Sequence, residues 1–201
     1  MQQEMYYVTS NAGKFTEVSR YISQHAPSLT LVQKDEDIPE IQTLDQRWIA
    51  IDKAKKAWEI LKRPLLIDDA AIYFENYYKF PGTLSKFVNI GLGIDGIKRL
   101  IDEGDRAHFL LYMVYIEAPD KYKVFEGKCL GALTKKESLL VHPNLPYDLF
   151  FIPDGQTQTY AALSADFDTN ASLFYRIQAL RSFLTWYEDP GKTYDDIHDD
   201  Q

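Results

Sequence analysis

Apolar and polar residues alternate in a pattern that predicts strands and helices in turn along the first part of the chain. Short apolar runs predict strands at Met5–Thr9, in the segment SLTLVQ and at Leu65–Asp68. Between them, apolar side chains recur at helical spacing in GKFTEVSRYISQH, and a long helix is predicted for Gln46–Leu61. This order of elements predicts a mixed α/β fold.

Two longer apolar stretches predict a β-hairpin in the second half of the chain. They read AHFLLYMVYIEA and YKVFEGKCLGALTK, and the turn residues Pro119 and Asp120 lie between them. Gly127 and Gly131, inside the second stretch, predict a bulge or a close approach of another backbone. A short strand in YDLFFIPD and a last helix over Ser172–Tyr187 complete the pattern. The predicted central sheet therefore contains antiparallel pairs.

The composition is that of an ordinary globular chain with an acidic balance. Its 201 residues carry a net charge of −8 at pH 7, which disfavours a broad surface for nucleic acid or anionic membranes. Cys129 is the only cysteine, so no disulfide can form within the chain. No apolar run approaches the ~20 residues that would cross a bilayer, and the first residues lack the features of a signal peptide. A cytoplasmic location is therefore expected.

The segment VTSNAGKFTEV joins the first predicted strand to the first predicted helix. Ser10, Asn11 and the amides around Gly13 lie at this turn, where free N–H groups and the helix dipole favour a phosphate group. Lys14 adds a cation in the first helical turn, where it opposes the dipole unless an anion is bound. The pattern predicts either a phosphate site or a strand–turn–helix unit with a surface lysine.

Two adjacent acids, Asp68 and Asp69, follow the apolar run in RPLLIDDAAIYF and are expected where that strand ends. Ionised carboxylates that leave water need a compensating partner, so either solvent or a cation must reach them. Mg²⁺ favours one or two carboxylates together with phosphate oxygens, and Glu40 supplies a further acid from an earlier loop. The local pattern fits a metal site or an acidic turn that faces solvent.

Three more basic residues are candidates for contact with an anion. Lys53 lies on the long predicted helix, and Lys86 follows the Pro81-Gly82 turn, whose amides could also approach phosphates. Arg176, on the last predicted helix, either points into a cleft or pairs with a surface acid.

The segment GLGIDG, residues 91–96, matches the glycine pattern of dinucleotide-binding loops. That function requires a strand directly before the glycines and a helix opening at the last one. A helix-like segment precedes them here, so we predict a loop between two helices instead.

Seven segments, in order between residues 8 and 180, resemble motifs of the Ham1 or inosine triphosphatase family of house-cleaning nucleoside triphosphate pyrophosphatases. TSNAGKFTEV resembles the family's T-S-N-x-G-K-x-x-E opening, and IDDAAI resembles its E-D-S-G-L strand end with Asp68 in place of glutamate. The other similar segments are IPEIQ, IDKAKKA, FPGTLSKF, FEGKCLG and FFIPDGQTQTYAAL.

This resemblance implies hydrolysis of a nucleoside triphosphate to the monophosphate and pyrophosphate, dependent on Mg²⁺ or Mn²⁺. Nonstandard purine nucleotides such as ITP, XTP and dITP are the implied substrates. The implied fold is an elongated central mixed sheet flanked by helices, with two lobes around a cleft. Residues 1–188 would form this single two-lobed domain, residues 189–201 an acidic, solvated tail, and the protein a homodimer.

The resemblance also implies roles for individual residues. Asp69 would orient or deprotonate the attacking water, with Lys14 and Lys53 as the other catalytic residues. The implied metal ligands are Glu40, Asp68 and Asp69. The implied triphosphate contacts are Ser10, Asn11, Lys14, Lys53 and Lys86.

The base-recognition motifs depart from the family pattern. LPYD stands where the family has F-G-W-D, and Phe174-Tyr175-Arg176 stands where it has S-H-R. Asn170 replaces a family lysine. The base contacts carried over by position are Tyr147, Asp148, Asn170, Tyr175 and Arg176.

Loss of polar groups around a base weakens discrimination or admits another base, so an altered base preference is expected. The alternatives are a pyrophosphatase for a different ordinary or modified nucleotide, or a non-catalytic nucleotide-binding protein. Retention of the acids and lysines of the triphosphate motifs favours an enzyme.

Overall fold

The computed structural model describes residues 3–136 and 145–195. Within these ranges the strands are β1 Gln3–Val8, β2 Leu29–Lys34, β3 Leu65–Phe74, β4 Pro81–Gly82, β5 Arg106–Ala118, β6 Lys121–Leu133 and β7 Phe151–Pro153. The helices are α1 Ala12–His25, α2 Gln46–Leu61, α3 Ser85–Leu100, α4 Tyr160–Leu163, α5 Phe167–Asn170 and α6 Tyr175–Glu188. Single 3₁₀ turns span Pro146–Leu149, Ser164–Asp166 and Ala171–Leu173. None of the helices in these ranges is long and apolar enough to cross a membrane.

The strands of the described residues form one mixed sheet in the order β2-β1-β3-β5-β6-β7, with β4 paired to β3. β1 runs parallel to both β2 and β3, and Tyr7 lies opposite Leu66. β7 pairs antiparallel with β6, and Gly131 lies opposite Pro153. The predicted mixed α/β class with antiparallel pairs is confirmed.

The described residues divide into two compact units. The first contains the residues up to 69, residues 111–127 and those from 176 onward. The second contains residues 70–110 and the described part of 128–175. The proposed boundaries of a domain at 1–188 and a tail at 189–201 stay predictions.

Helix α2 covers one face of the sheet in the first unit. Its small residues Ala50, Ala54 and Ala57 pack in one buried cluster with Leu65 and Ile67 of β3. Since α2 spans the predicted Gln46–Leu61, this prediction is confirmed. The side chain of Asp45 caps the helix by accepting a hydrogen bond from the Trp48 amide, and Lys62 ends it with φ of 50°.

Two features towards the end of the chain differ from the sequence predictions. The last helix begins at Tyr175 rather than Ser172, because residues 171–173 form a 3₁₀ turn and Phe174 is extended. The end of the chain was expected to be solvated, but its described part makes hydrogen bonds to β6. The Asp195 amide donates to Tyr122 O at 2.9 Å, and its carboxylate accepts from the Val124 amide at 3.0 Å. Residues 196–201 lie outside the described ranges.

Glycines shape the second unit at two places. Gly93, with φ of 62°, kinks α3, which is otherwise helical through GLGIDG, so the predicted loop between two helices is reduced to one non-helical residue. A Cβ on Gly131 would lie 2.3 Å from Ile152 O and 2.5 Å from the Phe151 ring. The close backbone approach predicted at Gly131 is therefore confirmed.

Candidate active site

The two acids of IDDAAI lie inside β3 and not at its end. The prediction of a strand end is wrong because the apolar residues that follow, including Ile72 and Phe74, are buried and continue the strand. Successive side chains of a strand point to opposite faces. Asp68 therefore shares a face with Tyr7 of β1, whereas Asp69 lies on the face that packs against α2.

Asp68 is buried and accepts hydrogen bonds from three side chains. Its Oδ1 lies 3.1 Å from Tyr7 Oη and 3.1 Å from Lys14 Nζ, and its Oδ2 lies 2.8 Å from Arg176 Nε. Burial alone would raise the pKa of this carboxyl, but Lys14 and Arg176 hold the pKa well below its usual range. Asp68 is therefore an ionised acid paired with the protein's own cations.

Arg176 lies at the start of α6 and is only 1% exposed. Besides Asp68, it pairs through Nη1 with the carboxylate of Glu17 on α1. The sequence predicts that Arg176 points into a cleft or pairs with a surface acid. The structure instead pairs it with Asp68, which is buried, and with Glu17, which is partly buried. Its role in contacting a base stays a prediction.

Sequence reasoning missed Tyr7 and Glu17 as parts of this cluster. Glu17 had a local signal, since it is the last letter of the TSNAGKFTE motif. Tyr7 had none, because only the pairing of β1 with β3 brings its hydroxyl to Asp68. The cluster also changes the prediction for Asp68, because both its oxygens accept hydrogen bonds and the role of metal ligand is not supported.

Asp69 has the opposite environment. Its side chain is half-buried, and among the described residues no group donates a hydrogen bond to its carboxylate. Its backbone oxygen accepts from Gln46 Nε2 of α2 at 3.1 Å. Burial raises the pKa of the Asp69 carboxyl, and Lys53 and Lys14 offset only part of that effect. This carboxylate is therefore available to a ligand or a water molecule.

Lys53 and Glu40 form an ion pair beside Asp69, with Nζ 2.6 Å from Oε1. Burial would lower the pKa of the Lys53 ammonium, but Asp69 and Glu40 raise it above its ordinary value. Burial lowers the pKa of the Lys14 ammonium, even though Asp68 acts in the opposite direction. The charged groups that act on the Asp69 carboxyl thus include Lys53 and Lys14, which lower its pKa, and Glu40 and Asp68, which raise it.

The turn before α1 differs from the predicted anion site. The Asn11 side chain accepts hydrogen bonds from the amides of Gly13, at 2.9 Å, and of Lys14, at 3.1 Å. These amides are therefore satisfied by a helix cap, and Asn11 acts here as the cap residue. Ser10 is exposed beside it.

The donor set suits a magnesium ion only in part. Among the described residues no group of three acids, histidines or cysteines could hold a metal. Mg²⁺ is commonly held by one or two carboxylates together with waters and substrate phosphates. Glu40 and the open carboxylate of Asp69 provide such a pair, so these two of the three predicted ligands fit the ion.

The remaining predicted residues belong to the second unit. Lys86 is exposed in the first turn of α3. Tyr147 is buried, its hydroxyl donates to Ser85 O at 2.7 Å, and its ring meets Phe74 edge-on. Asp148 follows it in the turn of residues 146–149, with a partly exposed side chain.

Two further predicted base contacts pack within the same unit. Tyr175 is buried and stacks on Phe109 with ring centroids 4.7 Å apart. The side-chain amide of Asn170 donates to Asp166 O at 2.9 Å and to Leu163 O at 3.2 Å. Both side chains support local structure here, and their contact with a base stays a prediction, as it does for Tyr147 and Asp148.

Comparisons with known proteins agree with the motif order. Residues 5–186 match the model of the Ham1 family. The inosine triphosphate pyrophosphatase of Batrachochytrium dendrobatidis is 34% identical over 184 residues, which are 89% of this chain and 92% of the relative. The dITP/XTP pyrophosphatase of Methanopyrus kandleri is 28% identical over 184 residues, 90% of this chain and 95% of the relative.

A solved structure shows the same fold. The HAM1 protein of Coxiella burnetii superposes with a TM-score of 0.71 at 20% identity. The alignment covers 91% of this chain and 97% of that structure. The mixed sheet with its flanking helices is therefore shared along almost the whole of both chains.

Proposed function

Because the chain belongs to the Ham1 family, we propose that it hydrolyses a nonstandard purine nucleoside triphosphate, such as ITP, XTP or dITP, to the monophosphate and pyrophosphate. Two relatives, each aligned with this chain over more than nine-tenths of its own length, carry the names of such pyrophosphatases. The protein is therefore a hydrolase that acts on the anhydride bonds of a triphosphate.

The observation that carries the mechanism is the open carboxylate of Asp69. It is half-buried, receives no hydrogen bond from the described residues, and has a raised pKa because of burial. A carboxylate of this kind takes a proton from water more readily than an exposed aspartate does. The water oxygen then bonds to the α-phosphorus while the anhydride bond between the α- and β-phosphates breaks. The products are the nucleoside monophosphate and pyrophosphate.

Lys14 and Lys53 would hold the triphosphate beside this base. Both are largely buried, and each interacts electrostatically with Asp69. Phosphoryl transfer requires neutralised charge and a fixed nucleophile more than covalent help. Glu40 and Asp69 would hold Mg²⁺, which supplies positive charge to the phosphate oxygens.

We propose that the protein discriminates between bases less strictly than the family pattern implies. The residues at the family's base-contact positions have other partners here: Tyr147 and Tyr175 are buried, and Asn170 binds backbone carbonyls. A site without polar readout discriminates weakly. A homodimer, implied by the family resemblance alone, and a cytoplasmic location, expected from the sequence, complete the proposal.

The test is pyrophosphate release with Mg²⁺ across ribo- and deoxynucleoside triphosphates. Asp69→Asn should lower the rate by roughly 10²- to 10⁴-fold, the usual worth of a general base. Asp35→Asn, an exposed acid in the same unit, should keep the wild-type rate. Removal of the metal with a chelator should abolish release, and added Mg²⁺ or Mn²⁺ should restore it.

The panel separates the candidate functions. Preference for ITP, XTP or dITP supports the proposal with the family's selectivity. Preference for another nucleotide supports pyrophosphatase activity and shows that the base specificity differs. Absence of release from every nucleotide contradicts the enzyme and favours a nucleotide-binding protein.

A further inference from the structure

Two ion pairs of Arg176, one buried and one partly buried, connect α6 to β3 and α1 within the first unit. Arg176 donates through Nε to Asp68 and through Nη1 to Glu17. Asp68 in turn accepts from Lys14 Nζ at 3.1 Å. The charges therefore alternate in sign along a continuous series, Glu17–Arg176–Asp68–Lys14.

Arg176 is poorly placed to recognise a nucleobase. Its side chain is 1% exposed, as is that of Asp68. Moving the guanidinium towards a base would remove a cation from the buried Asp68 and from the partly buried Glu17, which is unfavourable. Its contacts are instead those of a residue that fixes other charged groups.

Lys14 is the group in this series that needs fixing. Burial disfavours its charged form, and both Arg176 and Lys53 repel it. Asp68 is the strongest influence that keeps it protonated. Because Arg176 holds Asp68, and Asp68 holds Lys14, the position of the Lys14 ammonium depends indirectly on Arg176.

We propose that Arg176 is a positioning residue, which acts through Asp68 to hold the Lys14 ammonium for the triphosphate, and that it does not read the base. This inference rests on the proposed function for the role of Lys14. It follows that loss of Arg176 weakens the binding of every nucleoside triphosphate to the same extent, whatever base the nucleotide carries.

Inorganic tripolyphosphate is the decisive probe, because it has the phosphates and no base. Calorimetry with this anion should show binding weakened about tenfold or more in Arg176→Met, since misplaced charge-assisted contacts are lost. The value of kcat/KM should fall about 100-fold for ITP and ATP alike, as misplacement of about 1 Å does in other sites. Arg176→Lys, which keeps a cation, should recover part of both losses.

A double-variant cycle separates positioning from general destabilisation. If Arg176 acts through Lys14, adding Arg176→Met to Lys14→Met should cause no further loss of tripolyphosphate affinity. Arg181→Met, an exposed arginine on the same helix, should leave binding and rates unchanged. Should Arg176→Met fail to fold, Glu17→Gln removes only one partner of Arg176 and should weaken tripolyphosphate binding in the same direction.

The inference is overturned if tripolyphosphate binds the Arg176 variants as well as wild type while the ratio of ITP to ATP turnover changes. Additive losses in the cycle, or a wild type that does not bind tripolyphosphate, overturn it too. If binding falls as expected but no nucleotide is hydrolysed by wild type, the proposed function fails and the inference stands.

Discussion

Arg176 Nε lies 2.8 Å from Asp68 Oδ2, and this pair joins side chains 108 positions apart that are each only 1% exposed. The pair explains how a carboxylate can occupy the middle of a buried strand. It also separates the roles of two neighbouring acids. Asp68 is a structural anion. Asp69 lies on the other face of β3, and its carboxylate is available to a ligand or a water molecule.

Replacement of Asp68 should strongly destabilise the protein. Asp68→Asn leaves Arg176 and Lys14 without the carboxylate that compensates them, and removal of one partner of a buried pair costs about 3–5 kcal/mol. The measurement is the free energy of unfolding in urea at neutral pH. The exposed control Asp35→Asn should stay within about 0.5 kcal/mol of wild type. A loss as small as the control's would contradict a stabilising role for the pair.

The pH dependence of that difference follows from the direction of the pKa shift. Lys14 and Arg176 lower the pKa of Asp68 in the folded state below the value of about 3.9 expected for an unfolded chain. Its stabilisation is therefore fully present above the unfolded pKa and is lost as the pH falls through the folded pKa. Wild type and Asp68→Asn should differ by a constant amount at neutral pH and converge only in strong acid. Convergence at neutral pH would show that Asp68 is not ionised.

Local sequence was sufficient for elements whose signals lie within a few residues. The bounds of α2 were predictable because an apolar periodicity ends just before Arg63-Pro64, and Asp45 provides its cap. The capping role of Asn11 also depends on neighbouring amides, the same amides that the local pattern offers to a phosphate.

The environment of Asp68 was not predictable in the same way. Two adjacent acids end an apolar run in sequence, but buried apolar residues continue the strand beyond them, and distant cations neutralise Asp68 inside it. Arg176 approaches only after α6 packs, and nothing within the local segment encodes that contact. The structure places Lys53, Glu40 and Asp69 near one another, and their roles in the site stay predictions. For Asp68 it shows Lys14 and Arg176 as partners, which the local sequence did not indicate.

Asp69→Asn should raise stability while it removes activity. Burial raises the pKa of Asp69 in the folded state, so its ionised form is less favourable there than in the unfolded chain. A neutral asparagine avoids this cost above the folded pKa and gains nothing below the unfolded pKa. Thermal unfolding at neutral pH should show a midpoint higher by a few degrees, since ~1 kcal/mol shifts it by about 2–4 °C at this size. An unchanged or lower midpoint at neutral pH would mean that the Asp69 carboxylate is compensated.

Lys53 should set the acid limit of the reaction. Its ammonium lowers the pKa of Asp69, so Lys53→Met should raise that pKa further and move the acid limb of kcat/KM to higher pH. The profile is measured on the residual activity of the variant, normalised to its own maximum. Lys55→Met, on the same helix, removes a cation that stacks on Trp48 and should leave the limb in place. A limb that does not move in Lys53→Met would argue against Asp69 as the base.

Two glycines should respond to alanine with opposite signs. In Gly131→Ala the new methyl group would lie 2.3 Å from Ile152 O, a backbone atom that cannot yield without disturbing the β6–β7 pairing. Forced packing of this kind costs about 1–3 kcal/mol. Gly91→Ala adds the same group on α3, where nothing lies within 4 Å, and should stabilise the helix by roughly 0.5–1 kcal/mol. Urea unfolding of both variants tests the pair, and a neutral Gly131→Ala would show that β7 can move away from β6.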